Sequence, residues 1–527
     1  MRVADVVREV ASARPDHVAI RYGGRELTYA ELDERSNRLA HALLAAGAEA
    51  GSRIAYLDRT APEVVELLFA AGKIGAVTVP LNWRLALPEL GTILTDARPP
   101  VLIAGETYAA VAEELAAGLA SAPELVVVGE GGEQRDYERL LAAQNVTDPG
   151  RSGEAGDVVL QMYTSGTTGV PKGVLTTNRN LAACAETSPW WGFGSDSVSL
   201  TPLPMFHIGG IGWAFLGLWS GATTVLVRDF DAENVLDILE RQRVTNAVLV
   251  PTMLQLLTAV PGAAERDYSA LRCIAYGASP ITTPVLRAAL RTFRCPLYGI
   301  YGLTETTGGI TQLEPADHDP DGPREHLLRS AGRPFPWVEL RIVDPATGAD
   351  LAPREVGEVW LRAPNVMAGY FNRPAETAAA LTPDGWLRTG DGGYVDEDGY
   401  LFLTDRVKDM IVSGGENIYP IEVEEVLSRH PDVEEATVIG VSDPRWGEAV
   451  KALVVRRPGS PCTADDLVAF AREHLAGYKL PRSVDFVDEL PRTPTGKVLK
   501  RELRERYAEG AGARSAAPGL VLYSHPG

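Results

Sequence analysis

Eleven residues, Tyr163 to Gly173, read YTSGTTGVPKG and hold the groups from which a polyphosphate cradle can be built. Gly166, Gly169 and Gly173 let backbone amides come close to an anion. Thr164, Ser165, Thr167 and Thr168 add hydroxyl donors, and Lys172 adds a cation. The run follows Val158-Val159-Leu160, which reads as the end of a buried strand. The common nucleotide loop, GxxxxGK followed by Ser or Thr, does not fit, because Pro171 precedes Lys172 and Gly173 follows it. A flexible surface loop is the alternative that Gly, Ser and Thr content alone would allow.

Four further runs carry chemical groups. Ile300 to Thr306 reads IYGLTET, Thr389-Gly390-Asp391 follows Trp386, Ser413 to Asn417 reads SGGEN, and Pro494 to Lys497 reads PTGK. Arg406 lies in the charged run Asp405-Arg406-Val407-Lys408-Asp409. Lysine is scarce, with Lys73, Lys172, Lys408, Lys451, Lys479, Lys497 and Lys500 the full set, so few lysines exist to be catalytic. Taken together and in this order, the runs resemble the adenylate-forming superfamily. That superfamily holds acyl-CoA synthetases, aryl-CoA ligases such as 4-coumarate ligases, firefly luciferase and the adenylation domains of peptide synthetases. The resemblance spans Leu27 to Arg504, nearly the whole chain.

The resemblance implies an acid–thiol ligase that works in two steps. A carboxylate attacks the α-phosphorus of ATP and expels pyrophosphate, and the acyl-adenylate is then attacked by a thiol, most simply coenzyme A. Both partners of the first step are anionic, so the site must neutralise repulsion and hold them in line. Thr164, Ser165, Gly166, Thr167, Thr168, Gly169 and Lys172 would cradle the β- and γ-phosphates. Glu305 is assigned to Mg²⁺ with Thr164 as a hydroxyl helper, since magnesium takes few carboxylates plus phosphate oxygens. Asp391 suits a ribose diol, because a carboxylate accepts two hydroxyl hydrogens. The resemblance pairs it there with Arg406, stacks Tyr301 on adenine, and lines the other adenine face and the acyl pocket with Gly277 and Ala278. Gly302 and Thr304, within the same YGLTET run, join the nucleotide set. A turn former at Asp391 and a salt-bridge partner at Arg406 are the plainer alternatives.

In relatives the lysine that matches Lys497 enters from a mobile lid and bridges carboxylate and α-phosphate. The lid then rotates on microsecond to millisecond times and presents a glycine-rich face. Lys408 matches the hinge, and Gly414 and Gly415 would line the pantetheine tunnel, where a thin arm must pass close to backbone. A tight turn is the alternative for SGGEN.

Leu203 to His207 reads LPMFH, and the resemblance gives His207 a place in the pocket wall near the acyl carboxylate. Amino-acid-activating relatives carry an Asp where His207 stands, and nothing acidic follows here until Asp229, so an amino acid is not expected. Gly210, Ile211 and Trp213, with Tyr276, Gly277, Gly302 and Gly308, complete the expected acyl pocket. Small residues leave room for a chain, and Trp213 could floor or gate it. Some long-chain enzymes place a tryptophan gate where this chain has Ile211. A medium- or long-chain fatty acid is favoured, and a cinnamate- or benzoate-type aryl acid is the alternative. Loading of a carrier protein is a further alternative, although Ala331 to Val343 shows no insertion of the kind acyl-AMP ligases carry. A noncatalytic sensor would have lost Lys172, Glu305, Asp391 or Lys497, and all four are present.

The elements that would hold these groups follow from pattern. A capping box at Thr28 and Glu31 opens a helix that Gly47 stops. Strands are expected at Arg53 to Leu57, Ala76 to Val79, Val101 to Ala104, Leu125 to Val128, Thr223 to Val227 and Ala247 to Val250, separated by helices such as Pro62 to Lys73. That alternation predicts α/β layers with mostly parallel sheets. After Gly332 short strands and Asp-Gly turns predict a β-rich region, and a compact α+β lid follows. The expected division is a body over 1–404, a hinge over 405–409, a lid over 410–509 and a flexible tail over 510–527.

The 527 residues allow several domains and a large core, and 45% hydrophobic with 23% charged residues is ordinary for a globular chain. A net charge of -20 and a pI of about 5.0 argue against nonspecific nucleic-acid or anionic-membrane binding. Cys184, Cys273, Cys295 and Cys462 lack zinc-ligand or CxxC spacing and read as reduced. Neither a signal peptide nor an apolar membrane span is recognised, which predicts a cytoplasmic protein. The oligomeric state is left open, homodimer included.

Overall fold

The computed structural model describes residues 1–129, 136–151, 153–164, 171–278, 281, 283–344, 347–403, 411–418, 420–491, 498 and 500–509. It is a mixed α/β fold with a large N-terminal body and a small C-terminal domain. The chain packs as two compact units, one of Met1–Trp83, Ile93–Thr164 and Lys172–Thr404, the other of Arg84–Thr92, Ser165–Pro171 and Asp405–Gly527. The expected hinge, with Arg406 and Lys408, lies outside the described residues, as do Ser165 to Gly169 and Lys497.

The first unit holds three sheets. The largest has nine described strands in the spatial order Arg333–Pro334, Gly308–Leu313, Leu297–Leu303, Cys273–Gly277, Asn246–Leu249, Val198–Thr201, Thr223–Leu226, Val18–Tyr22, Arg25–Thr28. Its central pairs are parallel and its edges antiparallel. The second runs Gly369–Tyr370, Lys172–Thr177, Val158–Thr164, Val77–Pro80, Arg53–Leu57, Val101–Gly105, Glu124–Val128. It too is parallel apart from its first two pairings. The third is the antiparallel set Glu339–Val343, Gly357–Arg362, Leu387–Val395, Leu401–Leu403, the β-rich region anticipated after Gly332.

Local chemistry sets the helix ends. The Thr28 hydroxyl accepts the Glu31 N–H at 3.2 Å, and the Glu31 carboxylate accepts the Thr28 N–H at 2.7 Å. The helix Tyr29–Ala45 that they open is followed by Gly47 at φ +83. Pro62 begins the next helix, Pro62–Ile74, which is buried along almost its whole length. Lys73 is fully buried there, yet its Nζ reaches Asp33 Oδ1 at 2.6 Å, Ser36 Oγ at 2.8 Å and Asn37 Oδ1 at 2.6 Å. Those contacts satisfy its three donors, so this lysine is structural.

The second unit has a sheet ordered Glu416–Ile418, Ile411–Ser413, Gly447–Arg456, Val433–Asp443, with Ser483–Phe486 parallel to Gly447–Arg456. Helices Pro420–Ser428 and Ala464–Arg472 pack on it, the latter capped by Thr463. Among the described residues, no helix is long and apolar enough to cross a membrane.

Candidate active site

The phosphate-cradle run closes a β-hairpin. Strands Val158–Thr164 and Lys172–Thr177 are antiparallel, and Thr164 pairs directly with Lys172. Thr164 and Lys172 therefore stand opposite each other on paired strands. Below them the hairpin is braced. The Tyr163 hydroxyl donates to Asp96 Oδ2 at 2.7 Å and accepts from Gln161 Nε2 at 2.8 Å. Burial and the Asp96 carboxylate both push the Tyr163 phenol up, so it stays a donor. A side chain at Gly173 would meet Gln161 Nε2 at 2.7 Å, so this glycine is needed for packing as well.

Glu305 sits in the short turn Thr304–Thr306, between the antiparallel strands Leu297–Leu303 and Gly308–Leu313. Two contacts fix it, and both come from one distant segment. Its carbonyl accepts the Met367 N–H at 2.8 Å, and its Oε1 accepts the Tyr370 hydroxyl at 2.9 Å. The Tyr370 ring lies 5.1 Å from Lys172 Nζ. A continuous series of contacts thus joins the phosphate hairpin to the acidic turn.

The same hairpin carries Tyr301, whose hydroxyl donates to Asp391 Oδ2 at 2.5 Å. Both side chains are buried, Tyr301 at 9% and Asp391 at 5% exposure, which ties the nine-stranded sheet to the antiparallel one. Thr389 orients the turn by accepting the Asp391 N–H at 3.0 Å, and Gly390 adopts φ +71, where a side chain would be strained. Gly277 ends the neighbouring strand beside Ile300, and a Cβ on it would come within 2.5 Å of the Ile300 carbonyl oxygen. Ala278 follows at φ +68 and Thr307 lies at φ +51, left-handed angles that non-glycine residues reach only when the surroundings hold them.

Gly302 is the tightest point. A Cβ there would lie 2.0 Å from the Gly308 carbonyl oxygen, and backbone cannot yield as a side-chain tip can. Gly302→Ala is expected to spread the hairpin that holds both Tyr301 and Glu305. Overpacking of this kind costs about 1–3 kcal/mol. A lowered melting temperature together with lost ATP affinity in calorimetry is the expected result, and unchanged affinity would contradict it.

The expected acyl-pocket residues divide. His207 precedes the helix Ile208–Trp219, which packs on the strand Gly308–Leu313, and His207, Ile208 and Gly209 are half-buried. From Gly210 to Leu218 the helix is buried throughout. A Cβ on Gly210 would lie 2.1 Å from the Pro204 carbonyl oxygen, so its smallness admits backbone, not an acyl chain. Ile211 is 1% exposed, and the Trp213 ring packs 5.4 Å from Trp191 and 5.2 Å from Phe193. Trp191 in turn contacts Phe335, which stacks on Trp337 at 4.9 Å. Tyr276 is bound elsewhere: its hydroxyl donates to His318 Nε2 at 2.8 Å, because His318 Nδ1 must donate to the Glu314 carbonyl. Burial keeps that histidine neutral. A side chain at Gly308, φ +124, would meet Cys184 Sγ at 3.0 Å.

In the second unit Gly414 at φ +59 and Gly415 at φ +83 form the two-residue turn between Ile411–Ser413 and Glu416–Ile418. A Cβ on Gly414 would press on Trp446 at 2.8 Å, so the turn itself requires a glycine there. One cluster that sequence spacing did not reveal is His430, Asp432 and Cys462, whose ligand atoms lie within 4.8 Å of one another. His430 Nδ1 accepts the Asp432 N–H at 3.2 Å, and burial raises the Cys462 thiol, so hydrogen bonding and packing explain the group. The other three cysteines are buried, and their thiols are pushed up to about 12, which leaves them protonated and unreactive.

Sequence reasoning missed Tyr370, Met367 and Asn365. Asn365 is 1% exposed and its Nδ2 donates to the Thr306 carbonyl at 2.7 Å. The only available signal was the short Gly369-Tyr370-Phe371 run before Pro374.

Comparison with known proteins bears on this geometry. The model of the AMP-binding enzyme family matches residues 7–371, and that of the AMP-binding enzyme C-terminal domain matches residues 422–497. A fatty acid–[acyl-carrier-protein] ligase of Streptomyces coeruleorubidus is 42% identical over 504 residues, 94% of this chain and 95% of that protein. A feruloyl-CoA synthase of an Amycolatopsis species is 42% identical over 502 residues, 94% of this chain and 97% of that one. Among solved structures, an amide bond synthetase from Marinactinospora thermotolerans superposes with a TM-score of 0.86 at 35% identity, covering 96% of this chain and all (100%) of that one.

Proposed function

The chain belongs to the AMP-binding enzyme family and is an AMP-forming acid–thiol ligase, and on that premise we propose that it activates an aryl carboxylic acid with MgATP and passes the acyl group to coenzyme A. The observation that carries the reaction is the linked constellation Thr164, Lys172, Tyr370, Glu305, Tyr301 and Asp391 within one unit. The donor set fits magnesium. Glu305 offers a hard carboxylate whose Oε2 has no protein donor among the described residues, and Thr164 offers a hydroxyl. When bound, the ion would shield charge on the β- and γ-phosphates. Lys172 neutralises the same phosphates from the hairpin. Asp391, oriented by the Tyr301 hydroxyl, holds the ribose, and the Tyr301 ring takes the base. His207 faces the acid carboxylate from the start of its helix. Lys497 supplies the charge between carboxylate and α-phosphate, and Gly414 and Gly415 let the pantetheine arm pass.

An aryl acid is preferred over the fatty acid favoured by the small residues of the sequence. Beyond Gly209 the helix is closed by packing, and Trp213, Trp191, Phe193, Phe335 and Trp337 form an aromatic wall behind it. A flat ring fits against such a wall, whereas a long chain would have to displace it. The feruloyl-CoA synthase relative supports this reading. The fatty acid–carrier ligase relative supports a second, in which a fatty acyl group goes to a carrier protein.

Pyrophosphate release tests both readings. Ferulate, benzoate, indole-3-acetate, octanoate and palmitate would each be supplied with ATP and Mg²⁺, then with coenzyme A, a phosphopantetheinylated carrier or an amine. The expected result is the highest kcat/KM with an aryl acid and a thioester of coenzyme A as product. Palmitate as the best acid, or full turnover only with the carrier or the amine, would reject the corresponding half of the proposal.

A further inference from the structure

The segment Met367 to Phe371 touches both halves of the phosphate site, and beyond linking Lys172 to Glu305 it has no assigned part in the reaction. It is laid along the hairpin strand Lys172–Thr177 by backbone pairing of Gly369 with Leu175 and Tyr370 with Val174. The Ala368 N–H donates to the Leu175 carbonyl at 2.9 Å, and the Phe371 N–H donates to the Gly173 carbonyl at 2.8 Å. The Tyr370 N–H is held by Thr377 Oγ1 at 2.9 Å, and Gly369 takes φ +141, an angle that favours glycine. From this fixed backbone the Tyr370 hydroxyl reaches Glu305 Oε1 at 2.9 Å while its ring lies 5.1 Å from Lys172 Nζ.

We infer that Tyr370 is a positioning residue for the metal–triphosphate: its hydroxyl sets the rotamer of the Glu305 carboxylate that takes the cation, and its ring sets the approach of Lys172 to the phosphates. The inference rests on the proposed reaction, because it presumes that ATP with a divalent cation occupies this site. The physical argument is one of preorganisation. A carboxylate on an open turn samples several rotamers, and only some present an oxygen to the ion. One hydrogen bond to Oε1 removes that freedom and leaves Oε2 to the metal. Outer-sphere partners of this kind change metal affinity by about 10- to 100-fold when removed. The ring acts separately. A lysine ammonium held over an aromatic face gains a modest attraction that keeps it near one position. Tyrosine alone among the common side chains supplies both a hydroxyl donor and a face of this reach.

Calorimetric titration of the full chain with ATP, in Mg²⁺ and in EDTA, reads the two functions without any acid substrate. The quantity of interest is the factor by which Mg²⁺ tightens ATP binding. Tyr370→Phe keeps the ring and is expected to reduce that factor by about tenfold. Its metal-free ATP affinity and its melting temperature should stay at the wild-type values. Tyr370→Leu is expected to lose the same factor and also to weaken metal-free binding about three- to fivefold, through Lys172. In a Glu305→Gln background, Tyr370→Phe should cost nothing further, because the hydroxyl acts through that carboxylate. An undiminished Mg²⁺ factor in Tyr370→Phe would overturn the inference, and so would an equal loss in the Glu305→Gln background. Wild-type chain that binds no ATP in either buffer would instead overturn the proposed reaction, and this inference with it.

Discussion

Replacing Lys497 by alanine is expected to slow acyl-adenylate formation by roughly 10²–10³ while thioester formation from supplied acyl-adenylate proceeds near the wild-type rate. The asymmetry follows from where charge builds up. In the first step a carboxylate meets the α-phosphate, two anions must share a few ångströms, and a cation placed between them lowers the barrier directly. In the second step the thiol attacks the acyl carbon and AMP leaves with the phosphate oxygen, and the lid rotation that the family resemblance implies has by then withdrawn Lys497 from the bond being broken. Lys172 does not substitute for it. That side chain leaves the base of the hairpin opposite Thr164 and lies against Tyr370, where the proposed reaction has it meet the β- and γ-phosphates. Rapid-quench measurement of AMP-ester formation, followed in parallel by thioester formation from synthetic acyl-adenylate, separates the two steps. Equal losses in both would show that Lys497 supports binding or folding and not the bond-making step.

Residues whose chemical type is dictated by the ligand could be read directly from the sequence. A phosphate needs amides, hydroxyls and a cation, and the run Tyr163 to Gly173 carries them on a predictable strand end. Strands such as Arg53–Leu57 and Val101–Gly105 formed where the short apolar runs placed them. What sequence could not show were relations made by tertiary pairing. Tyr370 is 65 residues from Glu305 in the chain, and nothing local marks it as a partner of that carboxylate. Asp391 likewise meets Tyr301 across 90 residues. Glycines were ambiguous for a physical reason. An absent side chain can leave room for a ligand or admit another backbone, and the two look identical in sequence. Gly210 admits the Pro204 carbonyl and Gly302 admits that of Gly308, so neither measures the size of an acyl pocket. Trp213 was ambiguous in the same way. A tryptophan on an apolar helix could gate a channel, yet here its ring belongs to a packed aromatic wall. The candidate site was thus legible in its charged and hydroxyl groups and illegible in its shape, which is why the reaction class emerged before the acid.

Glu305→Gln provides the second large effect, because the substitution changes charge while preserving shape. The amide oxygen of glutamine can still accept the Tyr370 hydroxyl, and the backbone carbonyl still accepts the Met367 N–H, so the turn Thr304–Thr306 keeps its frame. What disappears is the anionic oxygen that the proposed reaction offers to a divalent cation, for which hard carboxylate oxygens are the preferred protein ligands. A hard cation supplies several kcal/mol of charge stabilisation to a phosphoryl transition state. Pyrophosphate release should therefore fall by roughly 10²–10³ at saturating ATP, a loss of the size seen when one preorganised electrostatic contact is removed. The melting temperature should move little, since Glu305 is half-buried and leaves no unpaired charge behind. Glu305→Asp should fall between the two, because it restores the charge but sets it one methylene short of the position that Tyr370 fixes. Raising Mg²⁺ should recover part of the aspartate variant's rate and little of the glutamine variant's. Turnover of Glu305→Gln at the wild-type rate would remove this carboxylate from the metal site and leave the triphosphate to the hairpin alone.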